Sequence, residues 1–156
     1  MPNLSVNGMH NGVSASTGLS GKERARDDHI RRLCIRIGSE AVRVGQACGY
    51  RLEKIAGHDP ETLARAGEGD ARALDEVETR ILNEANSNTR SDMQRPSMGQ
   101  DMLKGRRTEI DFINGVIVER GAEIGRPAPI NAKLVAAVKR VERGEIPARP
   151  ENLYSI

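Results

Sequence analysis

Aromatic residues are nearly missing from this chain: one Phe, two Tyr and no Trp among 156 residues, 2% in all. That excludes the stacking platforms on which single-strand nucleic-acid binders depend. It also leaves any core to Ile, Leu, Val and Ala, which suits helix-on-helix packing better than aromatic-rich sheets. An excess of one charge is missing too, with 24 basic residues against 22 acidic ones, so a nucleic-acid partner is not expected. No apolar run approaches the ~18–20 residues of a membrane span. Met1–Leu19 has no basic start followed by an apolar stretch, so it does not read as a secretory signal, and a soluble, cytoplasmic protein is expected. Only two cysteines occur, Cys34 and Cys48. They sit on what reads as one helix, roughly 21 Å apart at 1.5 Å per residue. A disulfide needs α-carbons within about 7 Å, so two buried thiols are expected. His10, His29 and His58 have no partner at metal-ligand spacing, so no metal site is expected.

What is present is helical spacing. From Asp27 to Cys48, Ile30, Leu33, Cys34, Ile37, Ala41, Val44 and Cys48 recur every three or four residues. Arg31, Arg32, Arg36, Glu40 and Arg43 mostly fill the other faces, and Gly49 provides a stop. Leu4–Ala15 is a more polar helix, followed by a turn over Thr17–Gly21. Asp59-Pro60-Glu61 combines a capping side chain, a proline and a first-turn acid, and starts a short helix that Gly67-Glu68-Gly69 breaks. Asp70 restarts a helix with Ala73, Leu74, Val77, Ile81 and Leu82 on one face, and residues 83–95 read as an exposed loop. Another helix starts at Thr108, with Ile110, Ile113, Ile117, Gly121 and Ile124 inward and Gly125 as its stop. After the Pro127–Pro129 turn, Asn131 reads as the N-cap of a last helix with Leu134, Val135, Val138 and Val141 inward. Strict alternation is absent, so the expected fold class is all-α: a helical domain over 1–144 and an extended tail over 145–156.

One block is more specific than the rest. Ser97-Met98-Gly99-Gln100-Asp101 is followed by Gly105-Arg106-Arg107-Thr108-Glu109-Ile110-Asp111-Phe112-Ile113-Asn114-Gly115 and then by Pro127-Ala128-Pro129-Ile130-Asn131. Near the start, Asn3-Leu4-Ser5-Val6-Asn7-Gly8-Met9-His10-Asn11 places asparagines at helical i, i+4 and i+8 positions. Together these segments resemble the C-terminal domain of the ketopantoate reductase family, which uses NADPH to reduce 2-dehydropantoate or related 2-oxo acids. The resemblance runs from residue 3 to about 143 and is weakest over 56–95. It implies a helical bundle similar to the C-terminal domain of 6-phosphogluconate-dehydrogenase-like enzymes.

The resemblance also implies roles. Asn7 and Asn11 match the family's substrate-binding asparagines, and Ser97 matches the serine that bonds the substrate's polar end. Glu109 matches the glutamate beside the catalytic lysine and the nicotinamide ribose, a catalytic and cofactor-contacting position. The lysine position itself holds Asn3, whose amide cannot act as a general acid. A carboxylate beside an ammonium raises the ammonium's pKa, so Glu109 lacks its expected companion here. The family's NADPH-binding domain opens on a Gly-x-Gly-x-x-Gly turn after a strand. No such unit is read in this chain, and Gly67-Glu68-Gly69 has neither the third glycine nor a strand before it.

The expected function is therefore the substrate-binding and subunit-contact domain of an NADPH-dependent 2-oxo-acid reductase. It would be inactive by itself, without a cofactor of its own, and partnered by an N-terminal nucleotide-binding domain in cis or in trans and by a second copy in a homodimer. Its first helix would be truncated, making the chain a fragment or one piece of a split protein. A non-catalytic helical assembly or regulatory module keeping the fold is the alternative. Plainer readings stay open residue by residue: Ser97 as an N-cap, Glu109 as a first-turn acid, Asn7 and Asn11 as surface asparagines. Asn114-Gly115 reads as a close-packing element, and Lys104-Arg106-Arg107 as a solvated loop or as a contact to a partner domain or a nucleotide phosphate.

Overall fold

The computed structural model describes residues 4–87 and 109–156, with side chains from residue 8 onward. Seven helices follow one another among them: α1 (Leu4–Thr17), α2 (Gly21–Arg26), α3 (Asp28–Ala47), α4 (Pro60–Gly67), α5 (Ala71–Ser87), α6 (Ile110–Glu123) and α7 (Pro129–Glu142). A 3₁₀ turn, Pro150–Leu153, comes near the end. The described residues contain no strand, only an isolated bridge between Ile55 and His58. No helix among them is long and apolar enough to cross a membrane.

The all-α expectation is met, and α3 shows why its spacing was legible. It is a wall shared by two cores. Ile30, Leu33, Cys34 and Ile37 face a cluster with Val13 of α1, Ile110 and Ile113 of α6, Leu134 and Val138 of α7, and Leu153. Ile35 and Val42 face a second cluster with Met9, Ile55, Leu63, Ala73 and Val77. Asp27 caps α3 by accepting from the Ile30 amide at 3.0 Å, and Gly49 leaves the helix in the left-handed region at φ +84°. Arg31 is not on a solvated face: it is buried, with Nη2 against Glu78 at 2.6 Å and Asp28 at 2.8 Å. Arg43 clamps α3 to α4 through Glu61 at 2.9 Å and Glu68 at 2.6 Å. Cys34 is buried and its thiol is pushed up to about 11 by burial, whereas Cys48 is only half-buried; both are free.

Four other expectations are corrected. The turn over Thr17–Gly21 contains the start of α2, whose Ser20 and Glu23 form a reciprocal capping box. α5 runs on to Ser87, so the stretch read as a loop from residue 83 is helical over its first five positions. Ile124 is the C-cap of α6 and stands exposed rather than facing inward. The tail is not extended: Leu153 is fully buried, Asn152 Nδ2 donates to Ser16 O at 2.9 Å, and Tyr154 Oη donates to Asp27 Oδ2 at 2.7 Å.

Candidate functional site

α1 carries two of the candidate residues, and it lies in the middle of the bundle. Gly8 to Thr17 is buried at every position except His10, which is half-buried. A helix enclosed on nearly all sides needs small residues where its neighbours come closest. A methyl group on Gly12 would stand 3.0 Å from both Ile110 Cδ1 of α6 and Leu134 Cδ2 of α7. One on Gly8 would meet Asn114 Nδ2 at 3.6 Å and Ile117 Cδ1 at 3.7 Å.

Asn11, one residue before Gly12, is 7% exposed, so it is not a surface asparagine. Glu109, one residue before Ile110, is exposed at the N-cap of α6 and makes no side-chain capping bond. The Gly12–Ile110 contact thus brings the end of the Asn3–Asn11 segment and the first turn of α6 to the same crossing. Asn7 lies one turn before Asn11 on α1; its side chain, together with Asn3, Ser97 and the Lys104-Arg106-Arg107 cluster, lies outside the described residues. Phe112, one turn into α6 from Glu109, is 78% exposed.

Behind that crossing runs a polar relay that the sequence reading did not assemble. Asn114 is fully buried; its Nδ2 donates to Gly8 O at 3.0 Å and to Asn131 Oδ1 at 2.8 Å. Asn131 Nδ2 in turn donates to Ile37 O at 3.2 Å and to Glu40 Oε1 at 2.8 Å. Glu40 also accepts from the main-chain amides of Ile130 at 3.1 Å and Asn131 at 2.8 Å. These are free amides of the first turn of α7, so a carboxylate from α3 caps that helix. Asn131 is therefore not the N-cap: α7 starts at Pro129, after Ala128, and Asn131 sits inside the first turn. The sequence held only a weak signal for Glu40, an acid at the edge of the Ile37–Ala41–Val44 apolar stripe, where a half-buried carboxylate needs a partner.

Two buried side-chain atoms have no hydrogen-bond partner among the described residues, Asn114 Oδ1 and His10 Nδ1. Burial first, then the charge of Arg24 and then His58, pushes the His10 imidazole down to about 3, so it is neutral at physiological pH. No group of three or more His, Cys, Asp or Glu among the described residues is placed to hold a metal ion. Gly67 ends α4 and Gly69 lies in the turn to α5, so no strand precedes either of them.

Comparison with known proteins gives a consistent result. Residues 1–142 match the family model described as "Ketopantoate reductase PanE/ApbA C terminal". The 2-dehydropantoate 2-reductase of Archaeoglobus fulgidus is 30% identical over 139 residues, covering 89% of this chain and 38% of the relative. A PanE/ApbA family ketopantoate reductase from Ralstonia eutropha superposes with a TM-score of 0.66 at 28% identity, over 91% of this chain and 40% of that one. D-mandelate dehydrogenase in complex with NADH shares the fold, with a TM-score of 0.67 at 24% identity over 90% of this chain and 40% of that one. The chain thus spans about 40% of the length of these proteins.

Proposed function

This chain belongs to the ketopantoate reductase family, as its C-terminal domain, and from that membership we propose that it is the substrate-binding and subunit-contact domain of an NADPH-dependent 2-oxo-acid reductase. The observation that supports this most is the crossing of α1 and α6, with a buried Asn11 beside Gly12 and an exposed, uncapped Glu109 beside Ile110. Amide side chains at Asn7 and Asn11 suit a 2-oxo acid, because each offers donors to carboxylate or carbonyl oxygens and an acceptor to a hydroxyl. Ser97 supplies a further hydroxyl for the acid's polar end.

In this reading an N-terminal nucleotide-binding domain, in cis or in trans, holds NADPH, and Glu109 is the residue this chain presents toward it. Asn3 stands where the family has its proton donor, so proton delivery to the carbonyl oxygen falls to another group. Phe112, exposed on the same helix as Glu109, suits a contact with that domain or with a second copy in a homodimer. A second reading, a non-catalytic helical module, is favoured by Asn3 alone.

Titration calorimetry of the purified chain with 2-dehydropantoate tests the proposal. Saturable binding is expected, weakened about tenfold or more by Asn11→Ala. The chain alone is expected to consume no NADPH with this acid. Absence of binding would favour the non-catalytic module, and NADPH consumption would contradict the division of labour between domains.

A further inference from the structure

Glycine lets α1 approach its neighbours but cannot fix its rotation. At Gly8 and Gly12 the helix presents bare backbone, with no side chain to lodge between residues of α6 and α7. A turn of about 100° with a slide of 1.5 Å, one residue of register, would carry the asparagine pair to another face. Val13 resists it by packing into the core with α6 and α7, and a directional bond at the glycine face fixes the register more narrowly than apolar contact does. The bond from Asn114 Nδ2 to the Gly8 carbonyl is directional, and it lands one residue after Asn7 and three before Asn11.

We propose that Asn114 is a positioning residue for the substrate-binding face of α1, held in place by Asn131 and Glu40. The inference rests on the reading of Asn7 and Asn11 as substrate ligands. Each link of the relay admits one arrangement. Both N–H groups of Asn114 are used, one on Gly8 O and one on Asn131 Oδ1. Flipping that amide would turn its oxygen against two acceptors. Both N–H groups of Asn131 are used as well, on Ile37 O and on Glu40. Glu40 is fixed by two main-chain amides of α7 besides Asn131. α3, α6 and α7 therefore converge on a single carbonyl of α1. Buried polar networks of this kind select one packing out of several apolar ones.

The experiment is a double-mutant cycle on the purified full chain, read by 2-dehydropantoate affinity and by NMR of α1. Asn114→Ala is expected to weaken binding about tenfold or more, the effect of a small displacement of the contacting groups. Asn11→Ala should then cost little further, because its side chain is already misplaced. Arg43→Ala, which removes the ion pairs from α3 to Glu61 and Glu68, serves as a control that lowers the melting temperature while leaving affinity unchanged. Unchanged affinity in Asn114→Ala, or losses that add in full, would overturn the proposal. Asn114→Ser, which keeps a hydroxyl donor near Gly8, replaces Asn114→Ala if that variant does not fold. If the wild-type chain does not bind the acid, the substrate reading falls. The positioning claim is then judged on the backbone amide resonances of residues 7–11. They should shift in Asn114→Ala and not in Arg43→Ala, and no shift in the former would overturn it.

Discussion

At His10, burial and ionisation pull against each other. Its imidazole is held near 3, against an ordinary value of 6.5, chiefly by burial. Between those two pH values the unfolded chain takes up a proton that the folded chain refuses. Stability therefore falls as pH drops through that window, by up to about 1.4 kcal/mol per pH unit. His58, also lowered mainly by burial, acts in the same direction. His10→Leu should lose less stability than the wild-type chain between pH 6.5 and 4, by roughly 3 kcal/mol in urea denaturation. Parallel curves for the two proteins would show that the folded state accepts the proton. Sequence alone gave His10 no role, because a lone histidine between small residues says nothing about what encloses it. Asn11 was legible only through its spacing within a family pattern, which carried no signal of its burial.

The elements that read correctly were those with one wet face and one dry one. α3 has a long apolar stripe and a capping aspartate, and Asp59-Pro60 marks the start of α4 by local chemistry alone. α1 read as polar because almost all of it is interior, where serine, threonine and asparagine bond back to the helix or across to neighbours. Ser16 and Thr17, for instance, donate to Gly12 O and Val13 O at 2.7 and 2.6 Å. The capping box of α2 was in plain view as Ser20-x-x-Glu23, while the cap of α7 was not, since its carboxylate comes from α3. That tertiary cap yields a measurable expectation. Glu40→Ala should cost about 2 kcal/mol in urea denaturation, because three donors lose a charged acceptor. Glu40→Gln should cost less, since its amide oxygen still accepts. Equal and negligible losses would show that α7 does not depend on Glu40.

On the scale of the whole molecule, the last residues complete the main core. Leu153 is fully buried against the cluster that joins α1, α3, α6 and α7, and the Arg149 amide donates to Ser16 O at 3.2 Å. Leu153→Ala should destabilise the chain by about 2–4 kcal/mol in the same assay, the cost of a cavity in a packed core. A loss under about 0.5 kcal/mol, the size of a surface substitution, would mean that the tail lies on the core without contributing to it. The proline-rich composition after Glu145 hid this packing, because prolines allow either a loose tail or a docked one.

The central place of α1 has a consequence for the order of events during synthesis. Ile110, Ile113, Asn114, Leu134 and Asn152, which wall in or tie down that helix, all come from the final third of the chain. This helix is thus walled in on that side only after roughly ninety residues beyond it have been added, and long-range closure of this kind is slow. Until then the glycine positions that α6 and α7 cover stand open to solvent.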